Sequence, residues 1–411
     1  MILNTQQAEA VEMARWLARN SGDVAVGVVA GPAGTGKSSL LKEVCQELGD
    51  VVLIAPTNRA AQRASKLSNV AATTIHGWLY SPREEEGGRI SFVKRGLDKI
   101  RVPASNVIIV DEASMVGPDV WGDIWTAAQD TRCSILLVGD AFQLPPVVTS
   151  GDEFSVFDSE FEKRVLELGH KFSRVNLTEV FRQARESAVL RACTELRSYP
   201  DDWRNAAQVM SNLPSRDNPD KSGYGFPHPD NIPARLLGMI ESQMDHCCIA
   251  YTNDKRRQIN RDVRALRGWS DEDDPQPGEP LLVRRNSKGA GVSNGETIVF
   301  TGFLARDMIG LPPNYRFLRV NGVECLTSMD GIVSGVSPKP SELRGLPVPY
   351  VDCQYGYAAT AHHSQGGQWD TALVVYEQVL MKVYAKAEMR IRWIYTGFSR
   401  AKKNLLIGGL R

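Results

Sequence analysis

Residues 31–38 read Gly31-Pro32-Ala33-Gly34-Thr35-Gly36-Lys37-Ser38, a complete G-x-x-x-x-G-K-[ST] pattern. The flanks give that pattern its setting. Val24 to Ala30 is a short β-branched, apolar run of the kind that builds a buried strand. From Ser38 onward, Leu40, Leu41, Val44 and Cys45 share one helical face. A glycine loop between strand and helix turns successive backbone N–H groups, and the positive end of the helix, onto phosphate oxygens. Gly34, Thr35, Gly36, Lys37, Ser38 and Ser39 are therefore read as nucleotide-binding. Lys37 is expected to reach the β- and γ-phosphates, and Ser38 to ligate Mg2+. The pattern implies a nucleoside triphosphate.

Working outward, Val51–Ala55, Val107–Val110 and Ile135–Val138 read as further apolar strands, with helices over 58–67 and 116–130. Near-continuous apolar strands separated by helices imply a parallel sheet covered on both faces. The strand Val107–Val110 runs into Asp111-Glu112. Asp111 suits holding Mg2+ through water, and Glu112 suits polarising a water toward the γ-phosphate. Gln143, in an exit loop stiffened by Pro145-Pro146, is a candidate for touching that phosphate or that water. Residues 81–102 break the rhythm with Pro82, a Glu84-Glu85-Glu86 triplet and Gly87-Gly88, and read as an inserted hairpin.

A second α/β region is expected from Val175, with a helix over 183–198, a polar loop over 199–231, a helix over 234–244, the strand Cys247–Tyr251 and a basic helix over 253–267. After Asp271-Glu272-Asp273-Asp274 the helical signal vanishes. Short β-type runs (Leu281–Arg284, Glu296–Leu304, Arg316–Val323) then suggest a small β-barrel insertion. The expected organisation is 1–174, 175–280, 281–349 and 350–411, the last returning to the second α/β unit. Arg182 and Arg400 lie in that unit, from which guanidinium groups could reach a phosphate across a cleft.

The 411 residues are 42% hydrophobic and 23% charged with zero formal net charge, so the global balance neither advertises nor excludes nucleic acid. No basic, apolar leader opens the chain and no apolar run reaches membrane length, so a membrane protein is not expected. Seven cysteines without a C-x-x-C spacing are read as reduced core residues of a cytoplasmic protein.

The motifs in this order resemble superfamily 1 helicases, and within them the 5′→3′ group typified by bacterial RecD and phage Dda. Leu3-Asn4-x-x-Gln7 resembles the adenine-reading Q motif, and residues 31–38 and 111–114 resemble motifs I and II. Gly139-Asp140-x-x-Gln143 resembles motif III, Leu177-Thr178-Glu179-x-Phe181-Arg182 motif IV, Thr360 to Gly366 motif V, and Tyr395 to Lys402 motif VI. The resemblance implies two RecA-like P-loop domains, with residues 81–102 as a strand-splitting pin and 281–349 as an SH3-like insertion. It implies ATP and Mg2+ as cofactors, Gln7 on the adenine, Gly366 near the nucleotide, Arg182 on the γ-phosphate and Arg400 as an arginine finger. Pro56, Thr57 and Asn58 of motif Ia, His76, Thr360, His362 and His363 would contact the single strand. Phe92 in the pin is either a base-stacking wedge or the hairpin's own packing residue.

Two positions depart from the family. His363 stands where lysine is usual, and Ser399 where threonine is usual. The helix carrying Lys255, Arg256, Arg257, Arg261, Arg264 and Arg267 is either a solvated face answered by Asp271–Asp274 or a phosphate track. The function implied is an ATP-dependent DNA helicase moving 5′→3′ on single-stranded DNA. An RNA-acting enzyme and an ATP-switched loader are the alternatives. The implied partners are single strands and single/double-strand junctions, with replication or recombination proteins, around a monomeric motor in a bacterial or phage-infected cell.

Overall fold

The strand that feeds the phosphate loop sits inside a six-stranded parallel sheet. The computed structural model describes residues 3–20, 23–85, 89–146, 154–180, 187–198, 223–225, 231–287, 289–306, 313–338, 343, 346, 348–377 and 387–409. Its first part runs α1 (Thr5–Arg19), β1 (Ala25–Ala30), α2 (Lys37–Leu48), β2 (Val52–Ala55), α3 (Asn58–Ser68), β3 (Ala72–Thr74) and α4 (Ile75–Leu79). There follow β4 (Tyr80–Glu85), β5 (Arg89–Lys94), β6 (Val107–Val110), α5 (Pro118–Thr131), β7 (Ser134–Gly139), α6 (Ser159–Glu167) and β8 (Lys171–Asn176). The sheet order is β3-β2-β6-β7-β1-β8.

Strands β1, β2, β6 and β7 are buried along their whole lengths, as their unbroken apolar sequences require. One face packs Val26, Ile108 and Ile135 against Ile124 of α5 and Phe161 of α6. The other packs Val29, Ile109 and Leu136 against Leu17 of α1 and Leu40 and Val44 of α2.

Three expectations shift here. Helix α5 begins at Pro118 rather than 116, because Pro at the first turn follows a short 3-10 turn at Ala113–Met115. The expected start of the second unit at 175 falls inside β8, where Val175 pairs with Val29 and Asn176 with Ala30. That strand hid in the sequence because, at the sheet edge, it carries only Phe172 and Val175 as apolar residues. The inserted segment forms an antiparallel hairpin from Tyr80↔Lys94 to Glu85↔Arg89, ending before 102. Lys94 and the Tyr80 hydroxyl anchor its base on Asp123 of α5. The side chains of 82–92, Phe92 among them, lie outside the described residues.

The second part runs α7 (Ala188–Ser198), β9 (Gly223–Gly225), α8 (Ile232–Glu241), β10 (His246–Ala250), α9 (Asn253–Leu266), β11 (Pro280–Val283), β12 (Thr297–Val299), β13 (Tyr315–Val320) and β14 (Val323–Ser328). It continues through α10 (Met329–Ser334), β15 (Cys353–Tyr355), β16 (Ala359–Thr360), α11 (Ala361–Ser364), β17 (Trp369–Val375), α12 (Ala387–Phe398) and β18 (Ala401–Gly408). A second parallel sheet has the order β16-β10-β17-β18-β9. Its core includes Ile249, Val374, Ile407, Trp393 and Phe398 on one face. On the other face, Cys248, Leu373 and Val263 join Leu281, Val283 and Cys353 of the inserted β region, so that region shares the sheet's core.

The insertion comprises the sheet β12-β11-β15 and the hairpin β13-β14, so it runs past the expected boundary at 349 as far as β15, which pairs with β11. Arg316–Val323, read as one run, is broken by Asn321 and Gly322, whose φ values of 51° and 81° make a two-residue hairpin turn. Within α9, the basic residues divide. Arg264 and Glu279 are both 0% exposed and paired at 3.0 Å, and the guanidinium also donates to the carbonyls of Ser270, Asp273 and Asp274. Arg256 is also buried, so the helix is not simply a solvated basic face. All seven cysteines are free and buried, and no described helix is long and apolar enough to cross a membrane.

Candidate nucleotide site between two α/β units

The phosphate loop turns between β1 and α2 with Gly34 at φ 86° and Gly36 at φ 77°, a left-handed backbone that disfavours any side chain. Thr35 Oγ1 donates to Pro32 O at 2.9 Å and tightens the turn. Lys37 opens α2, and its Nζ donates to the carbonyls of Gly31 and Pro32. Burial lowers the pKa of this ammonium, against the opposing pull of Asp140, Glu112 and Asp111.

Strand β6 delivers the two carboxylates. Asp111 N donates to Ile54 O at 2.9 Å, which ties the end of β6 to β2. Glu112 takes φ 53°, a left-handed conformation that costs a non-glycine residue about 1–3 kcal/mol. Burial beside the Glu112 charge pushes the Asp111 carboxyl up to about 7, with Arg63 and Lys37 opposing. Glu112 is 7% exposed, and its Oε2 accepts no hydrogen bond. Arg63 of α3 joins this pair from the side, donating to Glu112 Oε1 at 3.2 Å and to Ser38 Oγ at 3.3 Å.

Strand β7 delivers Asp140 and, three residues on, Gln143, whose Oε1 is buried without a partner. Here the second unit enters. The Tyr395 hydroxyl of α12 donates to Asp140 Oδ2 at 2.6 Å and accepts from Ala33 N of the phosphate loop at 3.0 Å. Thr396 Oγ1 accepts from Leu144 N at 2.9 Å, and Gln365 Nε2 donates to Leu144 O at 3.3 Å.

Arg400 follows α12 and is 1% exposed. It donates to Thr396 O, Gly367 O and Ser399 Oγ at 3.0–3.1 Å, all within its own unit. Burial lowers its pKa, Glu112 raises it and Arg63 lowers it further. Lys37, Ser38, Arg63, Glu112, Asp140 and Gln143 from the first unit, with Gln368 and Arg400 from the second, line one cavity of about 280 Å3. A larger open groove, about 920 Å3, runs between α1 and β8. That groove is lined by neither the phosphate loop nor the carboxylates.

Gln7 is fully buried and its amide is already engaged. Its Oε1 accepts from Asn4 N at 3.3 Å, completing a capping box, and its Nε2 donates to Thr35 O at 3.4 Å. Gly366, at φ 77°, packs against Thr57 and Ala60 at the start of α3, while its neighbour Gln368 lines the nucleotide cavity. Arg182 lies outside the described residues.

The strand-facing candidates fall along the junction of the two units. Thr57 caps α3, its Oγ1 accepting from Ala60 N at 3.1 Å. Pro56 is the half-buried residue before it. Asn58 Nδ2 donates to Asn286 Oδ1 of the β insertion at 3.2 Å. Thr360 Oγ1 and His363 Nδ1 are 2.7 Å apart, and His362 beside them is exposed. Burial, with Arg256, His362 and Arg284 nearby, pushes the His363 imidazole down to about 4, so the ring is neutral at pH 7. His76, also exposed, stacks on Tyr80 at the base of the hairpin, 5.3 Å between ring centres. Sequence reasoning passed over Arg63, Tyr395 and Asp140 as site residues. For Arg63 the signal lay in helical spacing, since Arg59 and Arg63 share the face of α3 that meets the second unit.

Residues 2–210 match a family model described as an AAA domain, and residues 355–407 match a UvrD-like helicase C-terminal domain. The ATP-dependent RecD2 DNA helicase of Deinococcus radiodurans is 25% identical over 401 residues, covering 93% of this chain and 46% of that protein. The ATP-dependent DNA helicase dda of Enterobacteria phage T4 is 30% identical over 174 residues, 41% of this chain and 37% of that one. The chain thus spans less than half the length of these curated relatives. Among solved structures, Pif1 helicase from Candida albicans superposes with a TM-score of 0.56 at 18% identity, over 100% of this chain and 94% of that one. Pif1 from Bacteroides in complex with ADP-AlF3 and ssDNA gives 0.55 at 17%, over 100% and 93%. At such identities the likeness speaks for the fold.

Proposed function

We propose that this chain, which belongs to the AAA-domain family, is an ATP-driven DNA helicase that moves 5′→3′ along single-stranded DNA. The observation that carries this reading is the cavity shared by Lys37, Ser38, Glu112 and Gln143 of one unit with Arg400 of the other. A site split in this way makes hydrolysis depend on how the two units sit, and hydrolysis in turn can move them. The named helicase relatives support the same reading.

The donor set fits a divalent cation. Asp111 and Glu112 are adjacent carboxylates at the end of β6, and Glu112 lines the same cavity as Ser38. Ser38 and Asp111 would hold Mg2+, which when bound neutralises phosphate charge. Lys37 would leave the Gly31 and Pro32 carbonyls for the β- and γ-phosphates. Glu112 would take a proton from the attacking water, and Gln143 would orient that water. Arg400, with Arg182, would answer the charge that develops on the γ-phosphoryl oxygens. Gln7 would serve the adenine by exchanging its bond to Thr35 O.

In this reading the β4-β5 hairpin is the pin, and the β11–β15 region is an SH3-like insertion. Pro56, Thr57, Asn58, His76, Thr360, His362 and His363 form the strand track. The experiment is unwinding of 5′- and 3′-tailed duplexes, with Lys37→Ala as the control. Unwinding of the 5′-tailed DNA alone, lost in Lys37→Ala, supports the reading. ATP turnover stimulated only by RNA, or tight strand binding without movement, would replace it.

A further inference from the structure

Arg63 is the cation nearest the hydrolytic carboxylate, and it comes from an element read only as strand-contacting. Helix α3 starts at the Thr57 cap and buries Ala60, Ala61 and Ala64 against its own unit. That packing leaves Arg59 and Arg63, one turn apart, on the side facing the second unit. Arg59 is held over the Trp369 ring at 4.8 Å, which fixes this face of the helix. Arg63 then reaches inward and makes two bonds, to Glu112 Oε1 and to Ser38 Oγ.

The consequence lies in how the carboxylate is divided. Oε1 is committed to Arg63, and Oε2 is buried, lies on a residue lining the nucleotide cavity and accepts no bond. Glu112 stands where the chain leaves β6 at φ 53°, with Oε1 as the carboxylate oxygen that is bonded. A guanidinium that donates at once to Glu112 Oε1 and to Ser38 Oγ restrains that carboxylate from one side, in the way that a third group orients the base of a catalytic triad.

We propose that Arg63 is a positioning residue for ATP hydrolysis: it fixes the Glu112 carboxylate by Oε1 so that Oε2 meets the attacking water. As water oxygen bonds to the γ-phosphorus, its proton passes to Oε2, and the bond from γ-phosphorus to the β–γ bridging oxygen breaks with its electrons leaving on ADP. Arg63 takes no proton and touches no reacting atom. The role rests on the ATPase reading above and assigns to that site a residue outside the motif set.

The test is steady-state ATP hydrolysis by the full chain with single-stranded DNA, together with equilibrium binding of a fluorescent ADP, in Arg63→Ala, Arg63→Lys, Glu112→Gln and the Arg63→Ala/Glu112→Gln double variant. Arg63→Ala is expected to lose roughly 10–100-fold in kcat, as removal of an orienting partner does elsewhere, with KM and ADP affinity within a few-fold of wild type. Arg63→Lys should recover part of the loss. In the Glu112→Gln background the Arg63→Ala change should cost almost nothing further, because the group it positions is gone. Wild-type kcat in Arg63→Ala, or a loss that multiplies fully with Glu112→Gln, would overturn the role and leave the ATPase reading standing. A wild-type chain without Mg2+-dependent ATP turnover would remove the ATPase reading and this role with it.

Discussion

The Tyr395 hydroxyl sits between Asp140 Oδ2, at 2.6 Å, and the Ala33 amide of the phosphate loop, at 3.0 Å. A side chain on α12 of the second unit therefore closes a bond inside the first unit's nucleotide site. Burial, with the Asp140 charge next, raises the Tyr395 pKa far above the usual phenol range, so the hydroxyl keeps its proton and remains a donor.

Tyr395→Phe removes that hydroxyl and little volume. It leaves a buried carboxylate oxygen and a loop amide without their partner, a loss of about 1–3 kcal/mol. Urea unfolding should report that destabilisation. The KM for ATP should rise several-fold, because Ala33 is no longer fixed. Unchanged stability and KM would mean that water replaces the hydroxyl at no cost.

Glu112→Gln keeps the shape of the carboxylate and leaves Asp111 in place. ATP and single-stranded DNA should bind nearly as in wild type, while turnover falls by roughly 10²–10⁴-fold, the range for loss of a general base. A variant that no longer binds nucleotide at equilibrium would make Glu112 a structural residue instead.

His363 makes a pH-dependent contribution with a defined sign. Its folded pKa, about 4, lies below the ordinary value of 6.5. The unfolded chain therefore binds a proton that the folded chain refuses, and stability present above pH 6.5 is lost as pH falls toward 4. Because the ring is only half-buried, solvent screening limits the effect to about 1–2 kcal/mol. The unfolding free energies from urea titrations at pH 7.5 and 5 should differ less in His363→Gln than in wild type by that amount. Equal divergence would assign the acid sensitivity to other groups.

Among the described residues the β4-β5 hairpin forms its own two-stranded sheet, anchored on α5 at its base, so if it acts as the proposed pin its removal should spare ATP hydrolysis. Replacing Arg89–Lys94 with a short Gly/Ser turn should leave DNA-stimulated ATPase near normal and reduce duplex unwinding sharply. If Phe92 stacks on a base, Phe92→Ala alone should slow unwinding several-fold, given about 1–3 kcal/mol per stacked base. Parallel loss of ATPase and unwinding would make the hairpin a support for the fold.

The sequence was most legible where one physical requirement dominates. Strands β1, β2, β6 and β7 announce themselves because burial on both faces demands unbroken apolar runs, and the phosphate loop because its backbone demands glycine at Gly34 and Gly36. It was least legible where a residue's role depends on a distant partner. β8, at the sheet edge, has only Phe172 and Val175 as apolar residues, and Arg264 reads as one more surface cation until Glu279 closes over it. Arg63 and Tyr395 become site residues only when α3 and α12 pack against the phosphate loop. Gln7 carries the motif, yet its amide is spent on Asn4 and Thr35.

The central claim is that the second unit completes the first unit's nucleotide site, and Arg400 carries it more than 360 residues along the chain from Lys37. The decisive measurement is single-strand-stimulated ATP hydrolysis by Arg400→Ala, with ADP binding measured alongside. The account predicts a fall of roughly 10³-fold or more in turnover, as for arginine fingers elsewhere, with ADP affinity largely kept. Turnover within a few-fold of wild type would contradict it.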